Sequence, residues 1–174
     1  MPHVNKQKKF PHNNANADSA KMRAVLLRLL AKRDYAYQEL VTKLSNRGYP
    51  LADILELLDA FKEKGYLDDD RFATHYVRYR RQRGFGPRRI ALELKTRGID
   101  DSIIAEKTKI ADNDWLNEMH RLLMKRVKNK PLCEPKQKAK LVRFFLSRGF
   151  TQAQIIFLLK EHRHSPTDNA YETE

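Results

Sequence analysis

The chain reads as an all-α protein, a tandem array of three three-helix repeats forming an elongated, curved body. Three observations predict this. Apolar residues recur at helical spacing, as where Met22, Val25, Leu26, Leu29 and Leu30 fall at i, i+3, i+4, i+7 and i+8 of one helix stripe, while alternating strand patterns are scarce. Three segments repeat one another: LSNRGYPLADILELL (44–58), LKTRGIDDSIIAEK (94–107) and FLSRGFTQAQIIFLL (145–159), each with an apolar residue three before Arg-Gly and another just after it. Their glycines, Gly48, Gly98 and Gly149, lie 50 and 51 residues apart. A period of that length has room for three short helices, and modules of this size stack mainly on their sequential neighbours.

The elements follow in order. Residues 1–18, rich in Asn, Lys and His, have little to bury and read as a disordered arm. The first repeat spans 19–67, with corners near Asp34 and Gly48; the second spans 68–110, with corners near Gly84 and Gly98; the third spans 111–163; and 164–174 form a disordered tail. At each Arg-Gly join, arginine suits the last helical turn, where carbonyls are unpaired, and glycine can take the left-handed conformation that ends a helix. Arg47, Arg97 and Arg148 are therefore expected to act as caps. Asp100 and Thr151 offer side-chain oxygens as N-caps for the helices that follow, and Pro50 suits a helix start. In the third repeat, KNKPLCEPK (128–136), with two prolines, reads as a longer loop. Trp115, Leu116, Met119, Leu122 and Leu123 follow a core stripe.

Composition narrows function. In 174 residues, 35 Lys and Arg against 22 Asp and Glu give a formal net charge of +13, a field that attracts polyanions. Cys133 is the single cysteine, so no intrachain disulfide can form and no zinc-ligand spacing exists, which fits a reducing cytoplasm. The polar start is unlike a secretory signal, and no run of about eighteen apolar residues occurs, so no membrane association is expected. A GxxxxGK[ST] loop and a GxSxG elbow are both absent. The scattered His75, His120, His162 and His164 make poor metal ligands. No enzyme activity, catalytic residue, metal or cofactor is expected.

The charge concentrates in VRYRRQRGFGPRR (77–89), six arginines in thirteen residues with no acid among them. Before it, Asp68 is the expected N-cap of a helix with Asp69 and Asp70 in its first turn, which explains three adjacent acids better than a metal site does. Along that helix Phe72, Tyr76 and Tyr79 are the expected core stripe, with Arg71, Arg78 and Arg81 on the opposite face. Pro87 suits the first residue of the next helix, which places Arg88 and Arg89 at the positive end of its dipole. That placement costs about 0.3–1 kcal/mol per charge. An anion bound to free backbone N–H groups and two guanidinium forks would reverse the sign. Arg71, Arg78, Arg80, Arg81, Arg83, Arg88 and Arg89 are accordingly the expected partner- or phosphate-binding residues. The bland alternative is a solvating surface paired locally with Asp68, Asp69, Asp70 or Glu93. Asn and Gln are absent from 87–96, which argues against a base-reading recognition helix.

The stretch GYLDDDRFATHYVRYRRQRGFGPRRIALELKTRGI (65–99) resembles the RecX family, regulators of the bacterial recombinase RecA. The likeness lies in its Leu-Asp-Asp start, Arg-Phe-Ala, basic helix, Gly-x-Gly-Pro and helix ending Arg-Gly-Ile, and it extends more weakly over about 21–163. Ala36, where a Ser-like cap is expected, and the loop around Pro131 and Pro135 depart from the family pattern. The resemblance implies a non-enzymatic, cytoplasmic, monomeric regulator that binds the RecA nucleoprotein filament. Family members limit filament extension or promote disassembly, and so restrain RecA ATPase, strand exchange and SOS-repressor cleavage. Single-stranded DNA, and secondarily double-stranded DNA, are the implied nucleic-acid partners. From charge alone, the competing reading is a sequence-independent DNA-binding module that acts without RecA.

Overall fold

A computed structural model describes residues 15–109, 113–127 and 134–163. Among the described residues are nine α-helices and no strand: α1 (Ala15–Leu30), α2 (Tyr37–Ser45), α3 (Leu51–Glu63), α4 (Asp69–Gln82), α5 (Pro87–Lys95), α6 (Asp101–Lys107), α7 (Asn113–Val127), α8 (Pro135–Ser147) and α9 (Gln152–Arg163). None is long and apolar enough to cross a membrane. Helix α1 begins inside the span expected for the N-terminal arm, so residues 15–18 are helical. The rest of that arm, the C-terminal tail and residues 128–133 of the proline-containing loop lie outside the described residues. Pro135, expected within that loop, is instead the first residue of α8, where its missing N–H is no loss.

The contacts divide the chain into two compact units, one ending at Asp68 and the other beginning at Asp69. In the first, Met22 and Leu26 of α1, Leu40 and Leu44 of α2, and Ile54, Leu58 and Phe61 of α3 form one buried cluster closed by Leu67. Burying each such side chain contributes about 1.5–3 kcal/mol. Ala36 stands at the N-cap of α2 with extended backbone and no side-chain hydrogen bond. The start of α2 is held instead by Arg33, whose guanidinium lies 3.7 Å from the Tyr35 ring and pairs with Glu39 at 2.5 Å. Tyr37 donates to Asp59 at 2.8 Å and ties α2 to α3. Pro50 occupies the N-cap of α3, one residue before the position its ring suits best.

In the second unit, α4, α5 and α6 pack on one another and bury Phe72, Ala73, Val77, Ile90, Leu94 and Ile104, while α9 packs on α7 and α8, where Trp115, Met119, Leu123, Leu141, Phe145, Ile155 and Leu158 are buried. The N-caps expected at Asp100 and Thr151 form. Asp100 accepts from the Ser102 hydroxyl and, at 2.8 Å, from the Ser102 amide, and these hydrogen bonds hold its carboxyl below the ordinary value. At α9 the capping is reciprocal, because Thr151 Oγ1 accepts from the Gln154 amide and Gln154 Oε1 accepts from the Thr151 amide. One expectation fails. Tyr79 is 51% exposed, because the buried stripe of α4 is Phe72, Ala73 and Val77, flanked by the half-buried Tyr76 and Arg80, and it leaves Tyr79 at its edge.

Arg-Gly corners appear where expected, with Gly48, Gly98 and Gly149 at φ of 86°, 77° and 88°. The third does more than turn the chain. Gly86 donates its N–H to the Arg148 carbonyl at 2.7 Å, and Arg88 donates its N–H to the Gly149 carbonyl at 3.1 Å, so the start of α5 lies against the end of α8. A Cβ on Gly86 would stand 2.5 Å from the Gly149 carbonyl carbon, and one on Gly149 would stand 2.5 Å from the Arg89 backbone nitrogen. Only glycine fits at either side of this crossing.

Candidate functional site

The arginines of 77–89 divide by position along α4 and α5. Arg80, on the inner side of α4, is part-buried and forms a two-pronged pair with Glu93 of α5, its Nε donating to Oε2 at 2.7 Å and its Nη2 to Oε1. Tyr76 donates to the same carboxylate at 2.9 Å, and Arg89 donates from Nε at 3.3 Å. Burial alone would raise the Glu93 pKa, but the hydrogen bonds from Arg80, Tyr76 and Arg89 outweigh it and hold the carboxyl below its ordinary value. Burial, reinforced by the hydrogen bond to Glu93, raises the Tyr76 hydroxyl's pKa.

Arg81 turns toward α7, pairing with Asp114 at 2.7 Å with its guanidinium 5.6 Å from the Trp115 ring. It therefore does not share the exposed face of Arg71 and Arg78. Arg83 donates to the Tyr79 hydroxyl. Arg71 sits in the first turn of α4, roughly 14 Å along the helix axis from Arg80. Arg78 and Arg88 are exposed, and among the described residues their guanidinium groups make no hydrogen bond or ion pair.

An expected feature is absent at the start of α5. The Arg88 amide is taken by the Gly149 carbonyl, so this helix end is closed by the third repeat's corner rather than open to an anion. Anion attraction at this junction comes from side chains. Phe85, between Gly84 and Gly86, has three guanidinium groups near its ring: Arg80 at 3.7 Å, Arg89 at 4.7 Å and Arg148 at 5.0 Å. Arg148 also lies 5.0 Å from the Phe144 ring, which Arg126 of α7 covers at 3.5 Å. Four arginines thus surround two phenylalanines, and among the described residues the one carboxylate hydrogen-bonded to any of them is Glu93.

Arg148 donates to the Arg83 carbonyl at 2.8 Å, and Arg121 of α7 donates to the Gln82 carbonyl at 3.1 Å, so the third repeat supplies the caps for the end of α4. Arg47 and Arg97 instead cap carbonyls of their own helices, Lys43 at 2.9 Å and Glu93 at 2.6 Å. Burial lowers the Arg148 pKa, and the neighbouring charges of Arg126, Arg89 and Arg80 lower it further. The smaller, charge-borne part of that shift comes from three neighbouring cations, and an anion would relieve it. Guanidinium suits both halves of the task, because it stacks on a ring and presents a planar fork to phosphate or carboxylate.

Arg126, Phe85 and Phe144 are absent from the sequence-derived site, and Arg148 figures there only as a cap. Arg126 and Phe144 lie in a different repeat from Phe85, and no local pattern pairs them. No group of three His, Cys, Asp or Glu side chains among the described residues could hold a metal ion.

Residues 68–107 match the family model for the second three-helix domain of RecX, which begins at the start of α4 and includes every arginine of the 77–89 stretch. A regulatory protein RecX of Halorhodospira halophila is 37% identical over 82% of this chain and 89% of its own length. The chain belongs to the RecX family of regulatory proteins. The RecX of Chromohalobacter salexigens is 40% identical over 74% of this chain and 84% of its own length. The crystal structure of RecX from Lactobacillus salivarius shares the fold, with a TM-score of 0.74 over 84% of this chain and 97% of that one at 21% identity. A second RecX crystal structure superposes with a TM-score of 0.67 over 90% of this chain and 81% of the other.

Proposed function

We propose that this chain is a cytoplasmic, non-enzymatic negative regulator that binds the RecA nucleoprotein filament, limits its extension or promotes its disassembly, and so lowers RecA ATPase, strand exchange and coprotease activity. Membership of the RecX family supports a regulatory role. The observation that carries the binding chemistry is the cluster of Arg80, Arg89, Arg126 and Arg148 around Phe85 and Phe144, four cations of which two, Arg80 and Arg89, share the carboxylate of Glu93. On this reading Arg71, Arg78, Arg83 and Arg88 make exposed contacts with the filament. Arg81 and Arg89 combine contact with holding the second and third repeats together, and Arg80 combines it with holding α4 to α5.

The test is RecA ATPase on single-stranded DNA with rising amounts of the protein as a monomer. Inhibition below one protein per RecA is expected, and an Arg88→Ala/Arg126→Ala variant should need several-fold more protein for the same effect. An ATPase untouched at equal amounts would end this reading.

The net charge of +13 favours a second reading, a sequence-independent DNA-binding module that acts without RecA. On that reading affinity for duplex falls with salt by a slope of about −0.9 per phosphate contact, and the Arg88/Arg126 variant flattens it. Tight, salt-sensitive DNA binding with no effect on the ATPase would select it.

A further inference from the structure

Beside the arginine cluster, a groove of about 530 Å³ runs between α5 and α8, lined by Arg88, Arg89, Leu92, Leu146, Ser147 and Phe150. Its walls combine two chemistries. Leu92, on α5, is 64% exposed and Leu146, on α8, is 45% exposed, two large apolar side chains from different repeats turned toward one space. A lone exposed leucine is ordinary, but two facing across a groove floored by the buried Phe150 are not. In the same lining Arg88 offers a guanidinium with no hydrogen bond or ion pair among the described residues. The one acid in the groove, Glu93, already accepts from Arg80, Tyr76 and Arg89 and leaves Arg88 uncompensated.

We infer that this groove is a docking site for an acidic segment of the protein partner carrying a large apolar side chain, and that it is not a seat for DNA. Phosphodiester would satisfy Arg88 but would leave Leu92 and Leu146 against a charged, hydrated backbone. A carboxylate set near a Leu, Ile or Phe satisfies both. Charge complementarity names the occupant: the groove is cationic and apolar, so its complement is anionic and apolar. This rests on the RecA-filament reading above and assigns one surface of it to protein rather than nucleic acid.

The discriminating variant is Leu92→Ser/Leu146→Ser in the full chain, which removes apolar contact without changing charge. Both side chains are largely exposed, so folding should persist; if the pair fails to fold, Leu92→Ser alone serves. Two measurements are compared with wild type: the concentration needed to half-inhibit RecA ATPase, and affinity for an oligo-dT strand without RecA at several salt concentrations. The expected result is a rise of about tenfold or more in the half-inhibiting concentration, with oligo-dT affinity and its salt slope unchanged. Unchanged inhibition overturns the inference while leaving the RecA reading intact. A parallel loss of oligo-dT affinity overturns it in favour of DNA in the groove. If wild type itself fails to inhibit, the RecA reading falls and the proposed occupant falls with it.

Discussion

The Arg-Gly corner at residues 47–48 and the one at 148–149 share a sequence logic and a left-handed glycine, yet they meet different surroundings. Around Gly48 a Cβ would touch nothing within 4 Å, and Arg47 caps a carbonyl of its own helix. Around Gly149 the Arg89 backbone stands 2.5 Å from the same hypothetical atom, and Arg148 reaches 65 residues back in the chain to cap α4. A motif that first serves only to turn the chain has become, two repeats later, an adhesive between repeats. The lesson is that a repeated signature fixes local geometry, while its energetic weight depends on what packs against it.

The largest expected effect breaks that contrast directly. Gly149→Ala should destabilise the second unit by roughly 3–5 kcal/mol, the left-handed penalty added to the cost of forcing a methyl against backbone. Denaturant unfolding measures it. Faster hydrogen exchange at the Arg88 amide, whose acceptor is the Gly149 carbonyl, would localise the damage. Gly48→Ala, with the same sign of φ and open space, should cost only about 1–2 kcal/mol. Equal losses at the two glycines would show that the crossing contributes nothing.

The arginines give the next step down. Arg148→Ala removes the cap on the Arg83 carbonyl and the stack between Phe85 and Phe144, and should cost about 2 kcal/mol. Arg47→Ala removes an exposed i−4 cap worth about 0.5 kcal/mol. A double-mutant cycle of Arg148→Ala with Phe85→Leu should reveal coupling, because the two groups touch.

Glu93 sharpens the comparison through pH. Its carboxyl lies below the ordinary value in the folded protein, so the stability it adds is complete above the unfolded carboxylate pKa and is lost as pH falls through the folded one. Glu93→Gln should cost about 1–2 kcal/mol near neutral pH, and its difference from wild type should shrink as the pH is lowered through the acid range. A difference that stays constant on acidification would mean that the charge of Glu93 is immaterial to the pair with Arg80.

How much of this was legible in the sequence follows from range. Helix ends were readable because their causes sit within four residues: Gly48, Gly98 and Gly149 end helices, and Asp100 and Thr151 begin them. The candidate site was readable in part. The basic stretch was visible, but its sorting into Arg80 on Glu93, Arg81 on Asp114 and Arg88 left exposed depends on partners 13 and 33 residues away, or on their absence. The closure of the α5 N-terminus by Gly149 was invisible, since a carbonyl 61 residues downstream leaves no mark near Arg88. Tyr79 was misplaced because a one-residue difference in the centre of a stripe moves its edge residue from core to solvent.

The smallest effect tests whether the first repeat is as loosely finished as its corner suggests. Ala36 occupies the N-cap of α2 with the extended backbone that a capping serine adopts, and it offers no oxygen to the free amides of the first turn. Ala36→Ser should stabilise the first unit by about 0.5–1 kcal/mol, seen as a rise in the unfolding midpoint. The site is fully buried, so the added hydroxyl contributes only if it accepts from an amide of that turn; left unpaired, it would cost at least as much as the cap provides. A stabilised variant would show that α2 carries a correctable gap, with Arg33 and Glu39 serving as its substitute cap. A destabilised one would show that the methyl of Ala36 is itself part of the core, and that packing rather than capping sets the start of this helix.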